Sequence, residues 1–159
     1  MSNSYKSSAH VQVQAEELLF YKVEDLLNVS LDKNKKIFLL DNVFTYIQPD
    51  FYSEEECIIG EIFAHIGKPK KAQDNKIAND ILKMLLLEKK TNKKYRKIIV
   101  VCDEEEQKKL QGLSALAESI RQFGIEIMYI EIDEKTRNQI IEAQKLQRMT
   151  NMWYLYVIM

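Results

Sequence analysis

Glycine and proline are scarce in this chain, four and two among 159 residues, which leaves little material for long structureless loops. Cysteine is as rare. Cys57 and Cys102 both lie in apolar runs, Cys57-Ile58-Ile59 and Val100-Val101-Cys102. A disulfide framework needs more cysteines in looser surroundings, so both are expected to be reduced core thiols of a cytoplasmic protein. No apolar run approaches the roughly 18 residues of a membrane-spanning helix. Met1 to His10 is polar and lacks an apolar h-region, so it is no secretory signal; residues 1–14 are expected to form a flexible tail. Trp153 to Met159 is apolar but too short to span a bilayer, and fits a final strand or a docking segment. Also missing are a Gly-rich phosphate loop, a Cys-x-x-Cys pair and a Gly-x-Ser-x-Gly elbow. His10 and His65 are isolated, so neither a histidine-based zinc site nor a Ser-His-Asp triad can be assembled.

What is present is a globular balance, 46% hydrophobic and 30% charged residues, enough for one domain over 15–159 and too little for two. The net charge of −1 is unevenly spread. Lys68 to Lys97 holds eleven Lys or Arg against Asp74, Asp80 and Glu88, a local +8 that leaves −9 for the remainder. That asymmetry suits a basic face touching phosphates, or simply a solvated loop at Lys89–Lys94.

Periodicity predicts an amphipathic helix from Glu16 to Asn28, with Leu19, Val23, Leu26 and Leu27 recurring and Asn28 as its C-terminal cap. Ile37–Leu40 and Val43–Ile47 read as a hairpin around Asp41-Asn42. Pro49 ends the second strand, because proline cannot donate to a ladder. Cys57–Phe63 is a third strand. A helix follows from Gln73 to Glu88, with Ile77, Ile81, Leu82, Met84 and Leu85 on its buried side. Lys97–Cys102 is a strand covered on both faces. Asp103 and Glu106 then form a capping box for a helix to Phe123, stopped by Gly124. Ile125–Ile132 is another strand, and Asp133 opens a last helix to about Arg148. The expected class is α/β, an αβββαβ core with an additional strand and flanking helices around a mixed central sheet.

This order of elements, with Pro49-Asp50 closing the second strand and Glu61 in Ile59-Gly60-Glu61-Ile62-Phe63 on the third, resembles the PD-(D/E)xK (restriction-endonuclease-like) nuclease superfamily. The resemblance covers roughly residues 16–102. It implies a metal-dependent phosphodiesterase acting on nucleic acid, with Asp50 and Glu61 holding Mg2+ or Mn2+. The chemistry explains the convergence. Phosphodiester hydrolysis needs a cation to polarise phosphoryl oxygens and lower the pKa of the attacking water, and magnesium prefers carboxylate oxygens. Glu61 also lies on an otherwise apolar strand, where an unpaired carboxylate is costly. A strand-end glutamate paired with a lysine is the plainer alternative.

One departure stands out. The superfamily pattern places a lysine two residues after Glu61, and this chain has Phe63 there. Some members carry that lysine on the following helix, which makes Lys76 the natural substitute and Gln73 a group to orient phosphate or water; otherwise Lys76 is one more exposed helix lysine. The resemblance also offers Glu16, ahead of Glu17, as a third carboxylate. His65 is a possible phosphate or metal contact, or merely a packed histidine. Lys68, Lys70 and Lys71 are expected to contact phosphates, which fix position without reading sequence. A homodimer or partner subunit is expected as well, with the Trp153–Met159 patch as contact surface.

Two other readings stay open. The Phe63 departure and the net negative charge suit a nuclease fold that no longer cuts and serves in binding or assembly. An unrelated α/β regulatory domain would be signalled by early strands that fail to form one meander.

Overall fold

The computed structural model describes residues 2–159, with side chains described from Ser8 onward. In chain order the elements are α1 (Ser2–Leu27), β1 (Asp32–Lys33), β2 (Ile37–Phe38), β3 (Tyr46–Ile47), β4 (Phe51–Ser53), β5 (Ile58–Phe63) and α2 (Lys71–Thr91). Then come β6 (Arg96–Val101), α3 (Glu104–Leu110), α4 (Ala115–Gln122), β7 (Ile125–Tyr129) and α5 (Glu134–Ile158).

The protein is α/β, with a five-stranded mixed sheet in the order β1-β4-β5-β6-β7. β1, β4 and β5 are successively antiparallel, and β5, β6 and β7 run parallel. The parallel centre is apolar on both faces, as a sheet covered on both sides requires. One face packs Ile58, Ile62, Ile98 and Val100 against Leu19 and Val23 of α1 and Ile140 of α5. The other packs Ile59, Phe63, Ile99 and Val101 against Ile77, Ile81 and Met84 of α2, and against Leu110 and Ile120. Both crossovers that carry helices, β5 to β6 and β6 to β7, put them on this second face.

Several expectations change in detail. Residues 2–14 belong to α1, and Ala15 and the half-buried Val11 tie that helix to the core. Ile37–Ile47 does make a hairpin, closed by Asn42 Oδ1 accepting from the Phe44 and Thr45 N–H groups. However, β2 and β3 form a separate two-stranded ribbon rather than part of the main sheet. The early meander is instead built from β1, β4 and β5, so Asp50 begins a strand rather than ending one. Phe51 and Tyr52 explain the change: both are buried, one on each face of the sheet, whereas Val43 and Phe44 are exposed. Leu82 is also exposed, and α2 buries Asp80 and Leu87 in its place.

The single helix expected over 103–123 is broken at Gln111–Ser114 into α3 and α4, with Ser114 capping the second by accepting from the Ala117 N–H. Asn28 and Gly124 take the left-handed conformations expected of helix ends, with φ of 52° and 64°. The segment Trp153–Met159 is not a strand. No glycine or proline interrupts 134–159, and extending an existing helix is easier than nucleating a new element. α5 therefore runs on to Ile158, its last turns apolar and exposed, Trp153 at 70% and Tyr156 at 87%. Among the described residues no helix is long and apolar enough to cross a membrane.

Candidate active site

β4 pairs with β5 so that Phe51 stands opposite Gly60 and Tyr52 opposite Ile59. Extending that register by one step sets Asp50 opposite Glu61, and directly opposed residues project to the same face. The pairing needs glycine at position 60. A Cβ there would fall 1.9 Å from Cζ of Phe51, a fully buried ring laid across the strand. Asp50 is anchored at this junction, its Oδ2 accepting from the Ile62 N–H at 2.7 Å.

Glu61 shares the face of Ile59 and Phe63, directed toward α2. Burial, followed by the neighbouring carboxylates of Asp50 and Asp80, pushes its carboxyl up to about 9, against a hydrogen bond from the Asp50 backbone that pulls it down. Two acidic groups held this close favour either a shared proton or a cation. Asp80 is buried on α2; burial raises its pKa, while Lys76 and Lys83 pull it back. The Lys83 ammonium lies 3.8 Å from its Oδ1. That of Lys76 sits 6.0 Å from the centroid of Phe63.

Asp80 is the acidic group that sequence reasoning passed over. A signal existed: it lies three residues after Ile77 and four before Met84, on the stripe of the helix that faces the core.

Glu16 is not brought to this pair. It lines a cleft of about 300 Å³ at the C-terminal end of β5, with His65, Gln73, Lys76 and Gln147 around a floor of Ile62 and Phe63. Its Oε1 accepts from Gln12 Nε2 at 3.1 Å. Gln73 is partly committed, its Oε1 accepting from the Lys70 N–H at 2.6 Å at the head of α2. His65 leaves Nδ1 buried without a partner among the described residues, and burial holds the imidazole below its ordinary pKa against the pull of Asp103. Among the described residues, no three His, Cys, Asp or Glu side chains form a ready-made cation cage. Asp50 and Glu61 are the two carboxylates that the register sets side by side.

The loop from Ala64 to Lys70 is fastened on several sides. Gln144 clamps Ile66 in both directions, accepting from its N–H at 3.0 Å and donating to its carbonyl at 2.9 Å. The Gly67 N–H donates to Asp103 Oδ2 at 3.2 Å, and Asp103 pairs with Arg137 at 3.1 Å. Asp103 therefore serves the loop and makes no side-chain cap on α3, and Glu106, fully buried, has no hydrogen-bond partner for either oxygen among the described residues. The capping box does not form.

Lys68, Lys70 and Lys71 are exposed on this loop and at the start of α2, and none of the three forms an ion pair among the described residues. The basic stretch as a whole is not one face. Lys89–Lys94 lies at the other end of the 21-residue α2, about 30 Å away at 1.5 Å per residue. Lys97 is buried against Glu88 at 2.9 Å, and Arg96 is paired with Glu126.

Cys102 is buried and its thiol is pushed up to about 12 by burial, whereas Cys57 is half-buried at a turn; both are free. Compared with protein-family models, with curated proteins and with solved structures, the chain matches none of them.

Proposed function

We propose that this protein is a metal-dependent nuclease, hydrolysing phosphodiester bonds in nucleic acid, most simply DNA, in the manner of the PD-(D/E)xK superfamily. The observation that carries the reading is the placement of Asp50 and Glu61 opposite one another on one face, with the Glu61 carboxyl raised to about 9. A Mg2+ or Mn2+ ion bound there would polarise the phosphoryl group and acidify the attacking water. Magnesium ordinarily keeps several waters, so two carboxylates suffice to hold it.

The chain's own residues would do the rest. Asp50 and Glu61 would hold the cation, whose charge would take the place of the proton that burial keeps on Glu61. Lys76, whose ammonium stands over Phe63, would hold the attacking water and offset charge developing on the phosphoryl oxygens. Gln73, fixed by its bond to Lys70, orients a phosphate oxygen. Lys68, Lys70 and Lys71 hold flanking phosphates without reading sequence. The antiparallel β1-β4-β5 meander, the α2 crossover and parallel β6 support this reading, whereas Ile37–Phe38 and Tyr46–Ile47, expected in that meander, stand apart as a ribbon, which is the outcome named above for an unrelated α/β domain. The exposed apolar turns from Met149 to Met159 are assigned as the contact surface for a second copy or a partner subunit.

The test is direct. Purified protein is incubated with single- and double-stranded DNA and RNA, with closed and open ends, in magnesium or manganese. Cleavage is expected, and Asp50→Ala and Glu61→Ala should abolish it. If either variant cuts as well as the parent, the assignment is wrong.

Phe63 in the usual lysine position favours a second reading, a nuclease-like module that binds or assembles without cutting. Calorimetric titration separates the two, because a non-cutting module has no need of divalent binding that depends on Asp50 and Glu61.

A further inference from the structure

The cleft at the C-terminal end of β5 has a composition distinct from the carboxylate pair beside it. Its walls come from three helices: Gln12 and Glu16 from α1, Gln73 and Lys76 from α2, and Gln147 from α5, with His65 at the strand end. Its floor is Ile62, Phe63 and Ala64. Amides dominate, and several polar groups remain uncommitted. His65 Nδ1 is buried without a partner, Gln73 uses only its carbonyl oxygen, and the Gln147 amide bonds to nothing among the described residues.

At about 300 Å³ the space lies at the small end of ligand sites, which are typically about 300–1,000 Å³ with an apolar lining and a few convergent polar groups. A phosphate is the poorer occupant, because the Glu16 carboxylate offsets the Lys76 ammonium in the wall and the other polar groups there are mostly amides. A nucleobase matches the lining. Amide side chains pair with base edges, a carboxylate accepts from an exocyclic amino group, and the apolar floor of Ile62, Phe63 and Ala64 receives the rest of the ring.

We propose that this cleft receives one unpaired nucleobase of the bound strand, next to the phosphate held at Asp50 and Glu61. The proposal rests on the nuclease reading for its biological setting, though not for the binding itself. Phe63 and Lys76 join the two sites, since Phe63 lies two residues beyond Glu61 on the same face of β5, about 7 Å along the strand. The exposed Lys68, Lys70 and Lys71 run from the cleft as a phosphate track. A base inside a duplex cannot enter such a pocket without leaving the stack. The substrate is therefore a single strand, a frayed end or a flap, and an intact duplex interior is a poor one.

The test is by side-chain amide NMR on the full chain in EDTA, titrating adenosine, guanosine, cytidine, uridine and, separately, inorganic phosphate. The expected result is saturable movement of the Gln73 and Gln147 amide signals with at least one nucleoside, at concentrations at least tenfold below any effect of phosphate. Gln147→Ala, an exposed position, should keep the spectrum of the fold and weaken nucleoside binding at least threefold. Movement with phosphate alone, no movement at all, or unchanged binding in Gln147→Ala would each overturn the proposal. Because no cation is present, the outcome is independent of cleavage. Nucleoside binding by a protein whose Asp50→Ala variant cuts normally would keep the cleft and discard the catalytic pair, and the reverse result would discard only the cleft.

Discussion

The Lys76 ammonium lies 6.0 Å from the centre of the Phe63 ring, so the cation provided by α2 stands over the residue at which the proposed superfamily pattern would have a strand lysine. The position along β5 is apolar, but the charge reaches the same neighbourhood from one helix turn above. Phe63 is 7% exposed and packs against Ile77 and Ile81. It could not carry a charge of its own without disturbing that core.

Lys76→Ala is accordingly expected to lower kcat by about 10²–10³, the usual cost of removing one preorganised charge-stabilising group, with KM little changed. The lysine is exposed and forms no ion pair among the described residues, so stability should move by less than about 0.5 kcal/mol beyond a cation–π loss of similar size. Lys76→Arg should recover part of the rate. Single-turnover cleavage alongside urea unfolding checks both statements, and unchanged kcat in Lys76→Ala would remove the residue from the mechanism.

Glu61 makes the cation-free protein weaker as pH rises. Its carboxyl titrates near 9 in the folded chain against an ordinary 4.5. Between those values the folded state holds a proton that the unfolded state has lost, so unfolding free energy falls with pH, by at most about 1.4 kcal/mol per unit. Partial exposure of the side chain reduces that ceiling. Glu61→Gln is expected to flatten the decline and to be the more stable protein at pH 8.5 in EDTA, although inactive. Manganese should reverse the order by stabilising only the parent, and more at pH 8 than at pH 6. Thermal melts across pH, with and without cation, measure this.

Glu106 gives a second pH effect with a different window. Burial pushes its carboxyl up to about 7, with Lys109 pulling down and Asp74 and Asp103 pushing up. The folded state again binds the extra proton, but only from about pH 4.5 to 7, and above that range the penalty is constant. Glu106→Gln should thus stabilise the protein at every pH above 7 by the same amount and change nothing near pH 4. A gain still growing between pH 7.5 and 9 would place the titration elsewhere. Divalent cations should not alter the effect.

The parallel centre of the sheet and the stripes of α1, α2 and α5 were legible in the sequence because long periodic segments are strong signals, and Glu61 stood out as an acid on an apolar strand; Asp50 was expected at the end of a strand over 43–47, which does not join the main sheet. β1 and β4 were not legible, because strands of two and three residues carry no period. Only the adjacent aromatics Phe51 and Tyr52 hinted at burial on both faces. The break between α3 and α4 was marked by Gly112 and Ser114, which read as ordinary helix positions until Ser114 is seen to cap the second segment. Asp80 was hidden by counting it as surface charge. Glu106 looked like a capping residue and is instead a carboxyl sealed in the core, which local spacing cannot distinguish.

Gly60 offers the most direct check on the site's framework. A methyl group there would overlap the Phe51 ring at 1.9–2.6 Å, and the ring has no exposed side to move toward. Relief requires β4 and β5 to separate, and Asp50 departs from Glu61 when they do. Gly60→Ala is therefore expected to cost at least about 2 kcal/mol in urea unfolding, within the range for overpacked cores, and to reduce divalent binding in calorimetry. Phe51→Ala alone should be destabilising by about 3–5 kcal/mol. Combined with Gly60→Ala, it should cost clearly less than the sum, because the two residues compete for one volume. Strict additivity would mean that the ring and the glycine are not in contact, and the register that sets the two carboxylates opposite each other would lose its support.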